Sequence, residues 1–375
     1  MVRALAEEGH RVTLVSFAEP TDTNADLSPL NRVCEEIALV PAPAMATGGD
    51  NALGRLATLA SRLPYGAWKF RSRDFTRRLE QQFRDQRYDL MICDGIYNAQ
   101  NLPPAHPVPT LLNKDDVEHL IIRRYLAFER SKSRRLYGML EAVKVKRWER
   151  MVCRQMRSIL ACSDVDRLFL QQLAPDIPIS VLPNVVDTEH YVPTDGGEPL
   201  TVLYQGGMDW HPNRDAVEFF ASTILPQLRA RVPGVRFRVA GRAPSNDFRR
   251  QFAANRDIEF TGTVPDMRDE IAKAAVCVVP LRIGSGTRLK ILEAGAMAKS
   301  IVSTPLGAEG LELREGEEIV LAKEPEVFAE AVASLLRDAG RRHALGRAAR
   351  LRVEKHYSFP VFQAALRGAL EGLFA

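Results

Sequence analysis

"PLRIGSGTRLKILEAGA", residues 280–296, runs from an apolar strand end through a Gly-Ser-Gly-Thr loop into a stretch with helical apolar spacing. It continues the short β-branched run "VCVVPL", so the segment predicts a strand, a tight turn and a helix in succession. Gly284 and Gly286 allow turn conformations closed to other residues and let the backbone approach a ligand. Ser285 or Thr287 can cap the helix, and N–H groups at a helix start favour a phosphate. Arg288 and Lys290 add positive charge nearby. Glu293 stands too far along to be a capping-box acid. Two explanations remain for it. It accepts two hydrogen bonds from a ribose diol beyond the loop, or it forms an i, i+3 ion pair with Lys290, worth roughly 0.2–0.5 kcal/mol.

The same strand–loop–helix unit recurs on either side. "LTVLYQGG" (200–207), "VRFRVAG" (235–241), "IEFTGTV" (258–264) and "SIVSTP" (300–305) are short, β-branched and close on Gly or Pro. Helices are expected between them over 213–231 and 266–275. Such alternation predicts an α/β domain with a parallel sheet covered by helices on both faces. In open sheets of this kind ligands sit beyond the carboxyl ends of the strands, where "YQGG", "VAGR", "TGTV" and the quoted loop all fall.

The first half of the chain repeats the pattern. A strand at 11–17 and helical patterns near 50–86 lead to the strands of "YDLMICDG" (88–95) and "VPTLLNKDDVEHL" (108–120). Basic helices then run to Arg157, and "SILACSD" (158–164) and "ISVLPNVVD" (179–187) supply two more buried strands. The opening "MVRALAEEGHRVTLVSF" reads as the end of a helix, a Gly9 stop and a strand. A Rossmann-like domain begins one strand earlier, so either the start is placed late or the protein is shortened. "PNVVDTEHYVPTDGGEP" (183–199) has the Pro, Asp and Gly content of a linker. "LRVEKHYSFPVFQAALRGALEGL" (351–373) predicts a helix, a break at Ser358–Pro360 and a final amphipathic helix.

Composition narrows the class. The chain has 375 residues, enough for two domains, with 46% hydrophobic and 26% charged residues, near the globular average. No apolar run approaches the ~18 residues of a membrane span, and no signal peptide opens the chain. A soluble, cytoplasmic protein is expected. Five scattered cysteines without a C-x-x-C pair, and seven dispersed histidines, predict reduced thiols and no metal site built from protein ligands alone. A net charge of +4 is too mild to imply nucleic acid. Yet seven basic residues and one acid lie between Arg55 and Arg78, and twelve basic residues and four acids between Glu118 and Arg157. These runs are either solvated helix faces or a surface attracted to an anionic membrane, at the inner face of the plasma membrane, or to a phosphate-bearing acceptor.

The segments "LPNVVD", "YQGGMDWHPNRDAVEFF", "VAGRAP", "FTGTVPDMRDEIAKAAVCVVPL" and "GSGTRLKILEAGAMAKSIVSTPLGAEGL" together resemble family 4 (group 1) retaining glycosyltransferases of the GT-B fold, in the branch that builds bacterial surface polysaccharides. The likeness extends from about Tyr88 to the C-terminus. It implies two facing Rossmann-like, doubly wound domains: an acceptor-side domain at 1–182, a linker at 183–198, a nucleotide-sugar domain at 199–356, and a C-terminal helix at 357–375 crossing back to the first domain. It implies transfer of a sugar from a UDP- or GDP-sugar to a saccharide or lipid-linked acceptor with retention, without a cofactor.

By position, the resemblance assigns Glu293 to the nucleotide ribose and Ser285, Gly286 and Thr287 to the diphosphate, with Arg288 and Lys290 as neighbouring cations. Gly206, Gly207, Gly241, Arg242 and Val264 fall on the walls of the donor pocket; Val264 could instead be core and Arg242 a surface ion pair. Three departures stand out. Ser285 occupies the place of the family's first glutamate, and Gly207 and approximately Asn213 the places of its phosphate-binding Arg and Lys, which points to Lys290 and Arg288 for compensating charge. The family's donor-facing histidine is matched by Asp115, with Asp116 and Glu118 close by. Asp115 or Glu118 is then a candidate base and Lys290 a candidate catalytic cation, although Asp116 as a helix cap would explain the cluster equally well. A catalytically inert nucleotide-sugar binder is the alternative. An epimerase or a phosphorylase on the same fold fits less well, the latter needing a cofactor lysine and a longer chain. A nicotinamide oxidoreductase would require a G-x-G-x-x-G after a strand, and the sequence has none.

Overall fold

The computed structural model describes residues 1–19, 26–43, 52–194, 196–242 and 245–374. They divide into two compact units, Met1–Leu182 with Gln363–Ala375, and Pro183–Phe362.

In the first unit, β1 (Thr13–Ala18) and β2 (Glu36–Pro41) form a two-stranded parallel sheet. A separate four-stranded parallel sheet takes β3 (Met91–Asp94), β4 (Thr110–Lys114), β5 (Ser158–Ala161) and β6 (Ile179–Val181) in that order. β1 begins two residues later than the pattern predicted, at Thr13 opposite Glu36, and Arg11 just before it forms a surface ion pair with Glu35. β2 was missed: "EIALVP" is a six-residue strand with a partly exposed face, and its alternation is too short to announce itself beside a loop. The helix Arg73–Asp85 covers this small sheet, putting Phe75 and Leu79 against Val40. Its N-cap Ser72 accepts from the Phe75 amide at 3.2 Å. The longest helix, Lys132–Gln155, lays Val145 and Val152 inward, and Val152 and Cys153 reach the core of Leu112 and Ile159. At the C-terminal end of the chain Arg367 donates to Glu8 at 2.6 Å, within the same unit.

The second unit holds one continuous six-stranded parallel sheet in the order β12-β11-β10-β7-β8-β9. The strands are β7 (Thr201–Gln205), β8 (Arg236–Ala240), β9 (Ile258–Gly262), β10 (Val276–Val279), β11 (Ser300–Ser303) and β12 (Val320–Leu321). Every residue of β7, β10 and β11 is buried, as expected for strands covered on both faces. Phe220 anchors the core, its ring 4.3 Å from Phe237 and 6.1 Å from Phe328. The edge strand β12 was also missed; two residues carry no usable periodicity.

One expected helix is interrupted. Between the α-helices His211–Phe219 and Leu225–Arg231 the chain makes a π-type turn, Phe220–Ile224. Pro226 has no amide hydrogen to give and its ring would strike the carbonyl four residues back, so the preceding turn widens. The first part of the segment read as a linker packs into this unit. Val186 N donates to Tyr357 O at 3.0 Å, and Val186 packs with Leu292, Ala296, Val353 and Tyr357.

Candidate functional site

Four adjacent parallel strands, β9, β8, β7 and β10, deliver their carboxyl ends to one edge of the second unit. The loops leaving them are laced together. Gly206 N donates to Ala240 O at 2.9 Å, Met208 N to Arg242 O at 2.9 Å, and Gly241 N to Gly262 O at 3.1 Å. Gly241 has φ +141°, and a Cβ there would lie 2.2 Å from the Gly206 carbonyl oxygen, so no side chain fits. Gly206, Gly207, Gly241, Arg242 and Val264 are therefore brought to the same edge as the Gly284–Lys290 segment. A cavity of about 460 Å³ lined by Lys299, Arg342 and Arg347 opens instead beside Pro199, Ala275 and Ser300, at the amino ends of the strands, and receives none of these residues.

The loop after β10 turns at Gly286 with φ +71° and enters the helix Leu289–Ala296. Arg288, extended at φ −104° and ψ 100°, is the N-cap, and no side chain caps the helix. The expected capping role of Ser285 or Thr287 is thus corrected: the helix starts too late for either. Thr287 Oγ1 accepts from Asn184 Nδ2 at 2.7 Å. Ser285 is buried. The buried Arg288 guanidinium folds back and donates to the Ser285 carbonyl and, at 2.5 Å, to the Gly286 carbonyl, pinning the loop in shape.

Lys290 turns its ammonium toward the end of β7. Nζ donates to Tyr204 OH at 2.8 Å and to Asn213 Oδ1 at 2.9 Å, and lies 4.2 Å from the Tyr204 ring centroid. Tyr204 OH donates to Asn213 Oδ1 at 2.7 Å, closing a triangle, and Asn213 Nδ2 donates to Gly207 O at 2.8 Å. Burial, then the Arg288 charge, lower the Lys290 pKa to about 7, against the opposing pull of Glu293. A Cβ on Gly206 would lie 3.0 Å from this ammonium.

Glu293, half-buried, does not take up the i, i+3 ion pair with Lys290; no such pair is found among the described residues. Its Oε2 accepts from Gln205 Nε2 at 2.5 Å and its Oε1 from Tyr191 OH at 3.2 Å. Burial raises its pKa, opposed by the Tyr191 hydrogen bond and the Lys290 charge. A carboxylate has room for about four hydrogen bonds, so acceptor capacity is left over. Val264 is half-buried in its loop rather than core, and Arg242, largely exposed, pairs with Asp209 at 2.6 Å.

Sequence reasoning put "YQGG" at this edge but gave Tyr204 and Gln205 no role, and it missed Tyr191 and Asn184 there altogether. Gln205 ends a strand and Tyr204 reads as core; Asn184 and Tyr191 lie in an apparent linker, and only folding returns them to the loop.

A cluster of acids lies in the first unit. Asp115 follows β4 and is exposed; desolvation, then the charges of Asp94 and Asp116, push its pKa up to about 6. Glu118 opens the helix Glu118–Leu126 and accepts from Lys114 Nζ. The fully buried Lys114 also donates to Glu149 at 2.7 Å, and His119 Nδ1 lies 2.6 Å from the other Glu149 oxygen. Burial raises the Glu118 pKa well above the usual range, whereas the Lys114 charge and hydrogen bonds from its neighbours outweigh burial at Glu149 and keep it ionised. The structure thus ties Glu118 into a buried ionic network.

Residues 1–190 match Glycosyltransferase Family 4, and residues 199–338 match Glycosyl transferases group 1. Sucrose-phosphate synthase from Thermosynechococcus elongatus has a similar fold, with a TM-score of 0.72 at 17% identity over 99% of this chain and 91% of that one. Anabaena HepE, solved in complex with UDP and glucose, gives 0.69 at 12% identity over 99% and 94%. S. aureus TarM gives 0.63 at 14% identity over 80% of this chain, which spans only 58% of TarM. An uncharacterised 44.6 kDa protein in the cps region of Klebsiella pneumoniae is 21% identical over 339 residues, 87% of this chain and 82% of its own length.

Proposed function

The chain belongs to glycosyltransferase family 4, the group 1 glycosyl transferases, with the GT-B fold, and on that premise we propose that it moves a hexose from a UDP- or GDP-sugar to a saccharide or lipid-linked acceptor with retention, in cell-envelope polysaccharide synthesis. The observation that carries the reading is one strand edge holding a tight loop, an uncapped helix start, a lysine ammonium and a hydrogen-bonded carboxylate. Main-chain N–H groups of the first turn after Arg288 and the Lys290 ammonium receive the diphosphate; Glu293, oriented by Gln205 and Tyr191, receives the ribose hydroxyls. Asn213 stands where the family carries a lysine, and the Lys290 ammonium is held against it, so the charge reaches the same place from another element. Arg288 contributes by holding the loop.

Charge developing on the leaving diphosphate is the largest demand of such a transfer, and single donors at such a position are worth roughly 3–4 kcal/mol. Lys290 and the helix start supply it, so we propose a transfer that needs no metal and no cofactor, checked by turnover unchanged under a chelator. Of the two candidate bases in the first unit, Asp115 suits proton transfer better, with a pKa raised to about 6 and no lysine bound to it as Lys114 is to Glu118. The Klebsiella cps-region relative supports the polysaccharide setting, and the UDP complex of HepE the donor class.

Incubating the protein with labelled UDP- and GDP-sugars, with and without glycan and lipid-linked acceptors, tests this reading. Nucleotide release with one donor class, and an NMR-assigned product keeping the donor's anomeric configuration, are expected. The inert-binder alternative, motivated by Ser285 in place of the first glutamate, wins if nucleotide binds but is never released.

A further inference from the structure

The outward side of the helix Lys132–Gln155 carries an apolar stripe. Leu136, Met139, Leu140 and Val143 are 57%, 47%, 49% and 58% exposed, and their i, i+3, i+4, i+7 spacing places them on one side of two helical turns. This is the spacing by which a helix normally buries itself, yet here the buried side is a different one, made by Gly138, Glu141, Val145, Glu149 and Val152. Toward the C-terminal end the same outward line continues as Arg147, Arg150 and Arg154, all exposed, with Met151 beside them. Both acids of the helix, Glu141 and Glu149, are turned inward. The outward side therefore carries apolar and basic residues and no acid.

A neighbouring element extends it. Lys144 Nζ donates to Thr58 O at 2.5 Å, and Arg55 stacks 5.9 Å from the Tyr137 ring centroid, which fastens the helix Ala52–Leu59 alongside. Leu56 and Leu59 on that helix are exposed as well.

We propose that this face seats the first unit on an anionic lipid bilayer, with the leucine and methionine side chains entering the interfacial layer and the arginines meeting the headgroups. Charge complementarity selects the occupant. A second copy would bring no acid from this side of the helix to Arg147, Arg150 and Arg154 in either orientation, whereas a negatively charged surface neutralises all three. Exposed apolar groups flanked by unpaired positive charge are the composition of helices that lie in the plane of a membrane interface, and no helix among the described residues is long and apolar enough to cross one. The inference stands apart from the donor chemistry and survives if that reading fails.

Flotation of the full chain with vesicles tests it. Vesicles of phosphatidylcholine with about one third phosphatidylglycerol should carry the protein to the top of the gradient, those of phosphatidylcholine alone should not, and added salt should release it. Replacing Arg147, Arg150 and Arg154 by Gln should lower the partition coefficient by about a hundredfold. Leu140→Asn with Val143→Asn should lower it by roughly tenfold at unchanged charge. All five positions face solvent, and circular dichroism should show the fold intact. Flotation that ignores lipid charge, or that both variants retain, overturns the proposal. Absence of flotation with either vesicle overturns it too, in favour of an acidic protein as the partner.

Discussion

The first strand of each unit tells a different story. In the second unit β7 lies in the middle of the sheet, flanked by β10 and β8, and all five of its residues are buried. Among the described residues of the first unit β1 pairs only with β2, none of its six residues is fully buried, and the strands fall into a pair and a quartet. Read as strings, "TVLYQ" and "TLVSFA" are equally good strands. What separates them is company: a central strand gains two hydrogen-bonded neighbours and two covered faces, whereas a two-stranded sheet is marginal without other support. The chemistry divides the same way. The edge around β7 gathers a cation, a carboxylate and glycine turns, whereas the loop after β4 gathers acids.

Core substitutions probe this contrast most strongly. Leu203→Ala in β7 should cost about 2–5 kcal/mol of unfolding free energy, measured by denaturant titration, and Val15→Ala in β1 less than about 1 kcal/mol. Amides of β1 and β2 should also exchange with solvent well before those of β7. Equal costs and equal protection would erase the distinction between the two sheets.

Next come the charges at the β7 edge. Lys290→Ala should lower kcat about a hundredfold while the melting temperature moves little; an unaltered rate would remove the lysine from the diphosphate position. Glu293→Gln keeps the shape and the Tyr191 and Gln205 contacts but drops the charge, and should weaken nucleotide binding about tenfold by calorimetry. Retained affinity would leave Glu293 a purely structural acceptor.

The pH response sharpens the comparison between the two loops. With a pKa lowered to about 7, Lys290 is charged below pH 7 and neutral above it, so the affinity of the free protein for a nucleoside diphosphate should fall through pH 7–8, by up to about tenfold per unit. Because its folded pKa lies below the ordinary lysine value, the folded state binds fewer protons over that interval, and this group makes stability rise, not fall, from about pH 7 upward. Lys290→Arg should flatten the affinity profile. If Asp115 is the base, kcat/KM should decline below about pH 6, and Asp115→Asn should remove that limb. The smallest effect belongs to Arg242→Ala, which breaks an exposed pair with Asp209 and should cost less than about 0.5 kcal/mol in stability.

Much of this was legible in one dimension. Runs such as "VCVV" and "SILA" appear as strands where read, because a strand buried on both faces needs consecutive apolar residues and those residues are local. The glycine loop lies where its spacing put it, whereas the helix after it begins at Leu289, later than a Ser285 or Thr287 cap requires. Short elements escaped: β2 beside a loop, and β12 with two residues.

Pattern along the chain was sufficient for the α/β class, the parallel strands, the glycine loop and the family, since each depends on neighbours in sequence. Only the fold assigned the partners of Glu293 and Lys290. Tyr191 lies 102 residues from Glu293, and Asn213 lies 77 from Lys290, so no local signal could join them. The same holds for the direction of the Arg288 guanidinium, for the burial of Glu118 against Lys114, and for the leucine stripe at 136–143, whose spacing alone would place it in a core. Periodicity states that one side of a helix is apolar; whether that side meets protein or solvent depends on what the rest of the chain packs against it.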